Sequence, residues 1–330
     1  MSMSKYLPLL IILILSITNP IFGQENFKWV TVKKGEGFNA FLYRNQLTPA
    51  KHSAQFKALN KGRFTKGGHL IAGKKYKVPL RYSVHSVPLL GKEHANVKQV
   101  DNSLEGAVIH LVAGHGGPDP GAVGKVSGNK ICEDEYAYDI VLRLGKELIS
   151  HGAKVHFIIR DANDGIRDAA FLKPDKDEKC YPSQVIPRKQ TPRLRQRAAA
   201  VNILARKEKP GTYQRLIVLH LDSRSKRNRT DVYFYHHANS TKGKKLALTL
   251  QKKMKTKYAK YQPNRKYTGT VGTRRLYMLK TTTPPSVLVE LGNINNYRDQ
   301  IRFTKTDNRQ ALAKWLCEGI IDDYKGQKKK

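Results

Sequence analysis

The sequence has little cysteine, few acidic side chains and few long apolar runs. Three cysteines, Cys132, Cys180 and Cys317, occur among 330 residues. They are too few and too scattered for a disulfide framework, and whether any two of them pair stays open. Acidic residues number 26 against 61 lysines and arginines, so the chain is strongly basic. A hydrophobic content of 39% is enough for a folded core and excludes a disordered protein.

One apolar stretch near the start, of about a dozen residues, is shorter than the roughly 20 residues of a membrane span. It follows Lys5 and ends before Asn19-Pro20. This order predicts a secretory signal peptide over residues 1–23, with a retained N-terminal anchor as the alternative. No cysteine follows the stretch, which argues against a lipoprotein. The predicted location is therefore the periplasm, the cell envelope or the extracellular space.

The net charge of +35 would first indicate a nucleic-acid partner. Export argues against nucleic acid, because the polyanions outside the cytoplasm are wall polymers, lipid headgroups and peptide carboxylates. Peptidoglycan and other anionic wall or envelope polymers are the partners that we expect. Many of the lysines, including the basic tail at 327–330, are equally typical of a solvated surface. Oligomeric state is not indicated.

Residues 24–80 form a short unit in which two strand-like segments, FKWVTVKKGEG and KKYKVPL, flank two short helical patterns. This βααβ unit resembles the LysM module in TVKKGEG, ALNKG and LIAGKKYKVP, and the resemblance implies glycan binding. It departs from the module at Glu36-Gly37-Phe38, where Asp-Thr-Leu is usual, and a structural spacer is the alternative. Residues 81–103 show no sustained period and are predicted to be a linker.

From residue 104 to 326, apolar strand patterns alternate with helical patterns, which predicts an α/β domain. The continuous apolar runs are typical of strands buried on both faces, so we expect a mainly parallel, twisted sheet with helices on both faces. Residues 163–190 form an insertion, either a lid or an ornament. Thr191-Pro192 is predicted to cap and start the helix at 191–206. Strands are predicted at 107–112, 154–160, 215–221 and 286–291. Helices are predicted at 133–150, 191–206, 240–259 and 308–324.

Four side chains that suit metal-dependent chemistry lie at or near the ends of these elements. His115 follows the first strand in a loop rich in glycine, Glu133 opens a long helix, and His220 ends the run RLIVLH. Ligands gather at the carboxyl ends of strands in open α/β sheets. Two imidazoles and one carboxylate leave the fourth position of Zn²⁺ for water, as in hydrolytic sites. Each residue alone also fits an ordinary structural role, and Cys132 is an alternative ligand.

Glu290 is the fourth candidate, inside the apolar run SVLVELG. A carboxylate among valines and leucines is costly to bury without a partner. Burial would raise its pKa toward the range in which it transfers protons. A structural ion pair with one of the many arginines is the alternative.

Five segments together carry a family resemblance: HGGPDPGAVG at 115–124, CEDEYAYDIVLRL at 132–144, RLRQRAAAVN at 193–202, VLHLDS at 218–223 and PPSVLVELGNINN at 284–296. In these segments, the region 104–325 resembles the zinc-dependent N-acetylmuramoyl-L-alanine amidases of the type 3 family. The resemblance implies that His115, Glu133 and His220 bind Zn²⁺ and that Glu290 is the catalytic carboxylate, with Glu135 as a second choice for Glu133. Leu221-Asp222 departs from the small residue and Asn that usually follow the second histidine.

The implied reaction is hydrolysis of the amide between N-acetylmuramic acid and L-alanine in peptidoglycan. A non-catalytic wall-binding protein and a zinc peptidase acting on stem-peptide bonds are the alternatives. Directly after His220, the segment SRSKRNRTD carries Arg224, Arg227 and Arg229. These guanidinium groups suit the carboxylates of the stem peptide as bidentate partners, and a solvated basic loop is the competing interpretation of the same segment.

Overall fold

The computed structural model describes residues 27–79 and 83–328. The chain divides into two compact units, one up to Arg81 and one from Tyr82 onward. The predicted signal peptide at 1–23 lies outside the described residues. Among the helices that are described, none combines the length and the apolar character that crossing a membrane requires.

The first unit has the βααβ order that the sequence predicts. Its two strands pair antiparallel, with Phe27 opposite Pro79 and Thr31 opposite Lys75. Aromatic side chains fill its core, where Phe41, Phe56 and Tyr76 are fully buried. The elements are β1 (Phe27–Thr31), α1 (Phe38–Arg44), α2 (Pro49–Leu59) and β2 (Lys75–Pro79).

The larger unit is an α/β fold in which strands and helices alternate. Its strands are β3 (Val84–Ser86), β4 (Asn96–Lys98), β5 (Ala107–Ala113), β6 (Val123–Val126), β7 (Asn129–Cys132), β8 (Lys154–Phe157), β9 (Ile159–Arg160), β10 (Lys179–Cys180), β11 (Gln184–Val185), β12 (Tyr213–Asp222), β13 (Tyr233–His236), β14 (Val271–Thr273) and β15 (Ser286–Asn293). Its helices are α3 (Glu133–Ser150), α4 (Gln190–Arg206), α5 (Thr241–Tyr261), α6 (Tyr277–Thr281), α7 (Tyr297–Thr304) and α8 (Thr306–Lys328).

The central sheet has six strands in the order β14-β13-β15-β12-β5-β8. Strand β12 pairs parallel with both β5 and β15, and β5 pairs parallel with β8. The sheet is mainly parallel, as expected, but β13 pairs antiparallel with β15. Every residue of β5 is buried, which agrees with a strand covered on both faces. The parallel core directs the carboxyl ends of β5, β12 and β15 to one edge.

Helices flank this sheet. Helix α3 packs against β5, β8 and β12, and α8 packs beside both α3 and α5. The predicted helix at 133–150 is confirmed residue for residue. Helix α4 begins at Gln190 after the cap residue Lys189, so Thr191 lies inside the helix rather than capping it. A hydrophobic stripe on α3 buries Tyr136, Ile140 and Leu144 in the core.

One segment differs from the sequence-based expectation. Residues 84–98, predicted as linker, form the antiparallel pair β3–β4 and bury Leu90 and Val97 in the core of the larger unit. The cysteines Cys132, Cys180 and Cys317 are all buried and unpaired, so the disulfide left open by the sequence is not formed. Strands β10 and β11 of the insertion form a small three-stranded sheet with β9, which directly precedes the insertion.

A pair of stacked histidines joins two neighbouring strands of the sheet. The buried His110 of β5 lies opposite the partly buried His156 of β8, and the ring centroids are 5.1 Å apart. The Nε2 atom of His110 bonds the side-chain oxygen of Gln214 at 3.0 Å, while its buried Nδ1 has no hydrogen-bond partner among the described residues. Burial lowers the pKa of His110 from 6.5 to about 4, and burial also lowers the pKa of His156.

We therefore expect acid to destabilise the fold through His110. Its folded pKa lies below its unfolded value, so the unfolded chain binds the extra proton between pH 6.5 and about 4. The free energy of unfolding should fall by about 2 kcal/mol from pH 7 to pH 5 through this residue alone. Urea unfolding of the wild type and of His110→Gln at both pH values measures it. An equal pH dependence in the two proteins would contradict the assignment.

Candidate metal centre

The sheet brings three of the predicted site residues to its carboxyl edge. His220 of β12 lies directly opposite Glu290 of the parallel strand β15. On the other side of β12, the chain leaves β5 and the backbone N–H of Gly114 donates to the carbonyl oxygen of Leu219 at 2.8 Å. This bond places His115 beside the His220 region. Helix α3 begins at the same edge with Glu133.

The side chains of His115, Glu133 and His220 converge on one point. The Nε2 atom of His115 lies 3.3 Å from Oε2 of Glu133, and Nδ1 of His220 lies 2.8 Å from Oε1 of Glu133. One donor atom from each residue falls within 4.8 Å of the others. Tetrahedral Zn²⁺ with bonds of 2.0–2.1 Å separates its ligand atoms by roughly 3.3 Å. The donor types and their spacing therefore fit a single Zn²⁺ ion.

The side chains of the candidate ligands pack directly against two glycines, at positions where a larger residue would clash with them. A Cβ atom on Gly114 would collide with the imidazole of His220. A Cβ atom on Gly121 would stand 2.7 Å from the His115 ring and 2.8 Å from Oε2 of Glu133. Gly121 also has φ +67°, a backbone conformation that glycine adopts most easily. The glycines of this loop thus allow the candidate ligands to approach the backbone closely.

Hydrogen bonds hold His115 in an uncommon conformation. Its φ is +60°, in the left-handed region. Its Nδ1 bonds Oδ2 of Asp119 at 2.7 Å, and Asp119 forms an ion pair with Arg193 of α4. Arg197, also on α4, donates to the carbonyl oxygen of His115. Burial opposes the charged ring, but Asp119 and Glu133 outweigh it and raise the pKa of His115 to about 9. Asp119 therefore orients the His115 ring in the way that a hydrogen-bonded carboxylate usually orients a metal-binding histidine.

Glu133 is buried, with 4% of its surface exposed, yet it is well supplied with donors. Besides the two imidazoles, the backbone N–H groups of Ala122 and Leu221 donate to its two oxygens at 2.9 and 3.1 Å. Burial acts to raise the pKa of this carboxyl, but the hydrogen bonds from His115 and His220 hold it well below its usual range. The carboxylate is ionised, as a metal ligand must be.

Glu290 has the opposite environment. It is half-buried, and its Oε2 atom is enclosed without a hydrogen-bond partner among the described residues. Burial raises its pKa to about 7, even though the neighbouring His220 acts in the other direction. No arginine forms an ion pair with it in the described part of the chain, which removes the structural interpretation left open by the sequence. A carboxyl with a pKa near neutrality and a free oxygen is able to accept and return a proton.

The structure separates the alternative ligands from this group. Glu135 bonds Arg167 at 2.8 Å and belongs to a different acidic cluster. Cys132 is not among the grouped donors, and burial raises the pKa of its thiol to about 11. The sequence analysis did not identify Asp119, Arg193 or Arg197 as part of the site. Asp119 follows His115 by four residues within the quoted segment HGGPDPGAVG, which was the available signal.

The three arginines after His220 differ in whether an acidic residue lies close enough to pair with their charge. Arg224 forms an ion pair with Asp222, and its guanidinium lies 5.1 Å from the ring centre of Tyr233. Arg229 lies 3.7 Å from Oδ1 of Asp299. Arg227 is exposed and forms no ion pair or hydrogen bond with the residues that the structure describes. Of the three, Arg227 is the one whose charge is not already paired within the chain.

Comparison with known proteins identifies the class. The family model described as N-acetylmuramoyl-L-alanine amidase matches residues 109–322. The germination-specific N-acetylmuramoyl-L-alanine amidase of Bacillus subtilis (strain 168) is 24% identical over 218 residues, covering 66% of this chain and 80% of the relative. An uncharacterized cell wall amidase of Bacillus anthracis is 26% identical over 234 residues, which are 69% of this chain but only 37% of that relative.

Among solved structures, the N-acetylmuramoyl-L-alanine amidase AmiC2 of Nostoc punctiforme aligns with a TM-score of 0.48 and 19% identity, covering 67% of this chain and 98% of that one. The chain belongs to the N-acetylmuramoyl-L-alanine amidase family. It is a hydrolase that degrades peptidoglycan by amidase activity, and a cell-wall substrate gives it an extracytoplasmic role. The family thus favours the amidase over the peptidase and the non-catalytic binder that the sequence left open.

We expect Gly114→Ala to weaken Zn²⁺ binding by about 10- to 100-fold, because the added methyl group displaces the His220 ring. Competition with a chelating dye measures the affinity. Gly272→Ala is the matched control, since its Cβ would lie 3.5 Å from Tyr235 in ordinary contact. Equal Zn²⁺ affinity in the Gly114 variant and the control would show that the close approach to His220 is unimportant.

Proposed function

We propose that the amidase reaction takes place at a Zn²⁺ site formed by His115, Glu133 and His220, with Glu290 as the proton-transferring residue. The observation that carries the proposal is the convergence of three donor atoms within 4.8 Å of one another. Beside them, on the adjoining strand β15, Oε2 of Glu290 has no hydrogen-bond partner among the described residues. When bound, Zn²⁺ lowers the pKa of water and polarises the carbonyl group of the scissile amide.

The residues of the chain supply the remaining steps. Asp119 holds the His115 ring, and Arg197 holds the backbone carbonyl oxygen of the same residue, so that Nε2 faces Glu133. Glu290 accepts a proton from the attacking water and passes it to the nitrogen of L-alanine as the amide breaks. Its raised pKa suits both steps, because a carboxyl near neutrality takes up a proton and releases it again at similar cost.

The basic segment after His220 supports recognition of the stem peptide. A groove of about 460 Å³ is lined by Lys125 and Lys130 of the β6–β7 hairpin and by Lys226 of this segment. Arg227 follows Lys226 and is unpaired. We propose that Arg227, with Arg224 and Arg229 beside it, attracts the free carboxylates of the stem peptide to this groove.

The first unit and the N-terminal residues complete the proposal. The βααβ order of residues 27–79 supports a LysM-like module that binds glycan and keeps the catalytic unit at the wall. Residues 1–23 are proposed to direct export. The net charge of +35 favours retention at anionic wall or envelope polymers over a freely diffusing enzyme.

Glu290→Gln is expected to keep Zn²⁺ bound and to lower kcat about 10²- to 10⁴-fold, because the side-chain amide of glutamine cannot accept and return the proton. Digestion of purified sacculi followed by mass spectrometry measures freed stem peptide, and elemental analysis measures Zn²⁺. The wild type with chelator gives the background. Hydrolysis of the muramyl amide at the wild-type rate by the variant would end the role proposed for Glu290.

Arg227→Ala is expected to lower kcat/KM about fivefold on stem peptides with free carboxylates and to change little on amidated ones. The same muropeptide assay on the two substrate forms measures the difference. Arg206→Ala is the control, because it removes the same charge from the exposed end of α4. An equal loss on both substrate forms would rule out carboxylate recognition by Arg227.

A further inference from the structure

A second group of carboxylates is buried next to the proposed Zn²⁺ site. Asp134 and Glu135 of α3 and Glu178 of the insertion each place one side-chain oxygen within 4.8 Å of the others. Their exposed fractions are 2%, 2% and 5%. Glu133 is not a member of this group, so the two sets of donors are distinct.

The charge of this cluster is poorly balanced by the chain itself. Arg167 is the one described cation in contact with it, and Arg167 pairs with Asp164 as well as with Glu135. Asp134 and Glu178 form no ion pair within the described part of the chain. In a chain with 61 basic and 26 acidic residues, arginine and lysine partners are abundant. Burying a carboxylate without a partner is strongly unfavourable, because the charge loses its hydration.

One buried oxygen atom of this cluster is unsatisfied. Oδ2 of Asp134 is buried and has no hydrogen-bond partner among the described residues, while its Oδ1 accepts the backbone N–H of Glu135 at 2.9 Å. Oε2 of Glu178 accepts the backbone N–H of Gly117 at 2.7 Å. Burial raises the pKa of Glu178 to about 7, and the neighbouring carboxylates of Glu135 and Asp175 act in the same direction. The enclosed oxygen of Asp134 is the observation that separates this cluster from an ordinary group of surface acids.

We propose that Asp134, Glu135 and Glu178 bind one Ca²⁺ ion. The donors are all carboxylate oxygens, which hard cations prefer, and no imidazole or thiolate is among them. They come from a helix and a loop in an irregular arrangement, which Ca²⁺ tolerates better than Mg²⁺ does. Water completes the coordination. The ion would neutralise most of the negative charge of the three carboxylates that Arg167 does not balance.

The position of this site gives the ion a structural role. Glu178 belongs to the insertion and also holds the backbone of Gly117, two residues after His115. Asp134 and Glu135 directly follow Glu133 in α3. A bound Ca²⁺ would therefore fasten the insertion to the first turn of α3 and to the loop that carries His115.

The test is Ca²⁺ titration of the full-length protein already loaded with Zn²⁺, by calorimetry and by thermal unfolding. We expect one saturable Ca²⁺ site and a rise in Tm. Glu178→Gln should weaken Ca²⁺ binding by about tenfold or more, because it removes one charged ligand. Because the readout is Ca²⁺ binding, the result does not depend on the amidase mechanism. Absence of saturable binding to the wild type would overturn the proposal.

Two further variants locate the ion. Asp164→Asn is the matched control, since Asp164 belongs to the neighbouring group of Asp161, Asp164 and Asp175 and not to this one. It should bind Ca²⁺ as the wild type does, and loss of binding there but not in Glu178→Gln would overturn the assignment. Asp134→Asn removes one of three mutually repelling carboxylates. Without Ca²⁺, the Tm of this variant should therefore equal or exceed that of the wild type, and added Ca²⁺ should not raise it further. A Tm rise equal to that of the wild type would count against the site.

Discussion

The carboxylate of Glu133 is the group on which the proposed catalytic site depends. Both imidazoles and two backbone N–H groups surround it, and these contacts keep a buried charge ionised. Its position at the first residue of α3 adds the favourable field of a helix N-terminus. The two histidines reach this carboxylate only because β5 and β12 end together at one edge and because Gly114 has no side chain to obstruct His220.

Helix α4 contributes to this arrangement from outside the sheet. Arg193 binds Asp119, which orients the His115 ring, and Arg197 binds the carbonyl oxygen of the same histidine. Two arginines one helical turn apart thus support a residue whose φ is positive. The energy that keeps His115 in its left-handed conformation comes from these contacts, so α4 acts on the site without supplying a donor to the metal.

The sequence predicted the elements and residues whose signals are local. The apolar stripe of α3 and the buried runs of β12 and β15 need only their own periodicity, and the strand ends indicated where His220 would lie. The contacts between Asp119 and Arg193 and between Arg197 and His115 join residues 74 and 82 positions apart, and no local pattern encodes them. Residues 84–98 looked like linker because only Leu90 and Val97 are fully buried there, with Val87 and Leu89 partly buried, and these four positions follow no helix or strand period.

The partners of the buried acids separate structural carboxylates from those that serve a site. Asp139 contacts Arg143 and Arg309, and Asp323 contacts Arg215. Asp231 and Asp299 contact Arg302 in the same way. In a chain so rich in arginine, such pairing is the ordinary solution for a buried acid. Among the described residues, Asp134, Glu178 and Glu290 form no such ion pair, so their charges are available to a cation or to a proton in transfer.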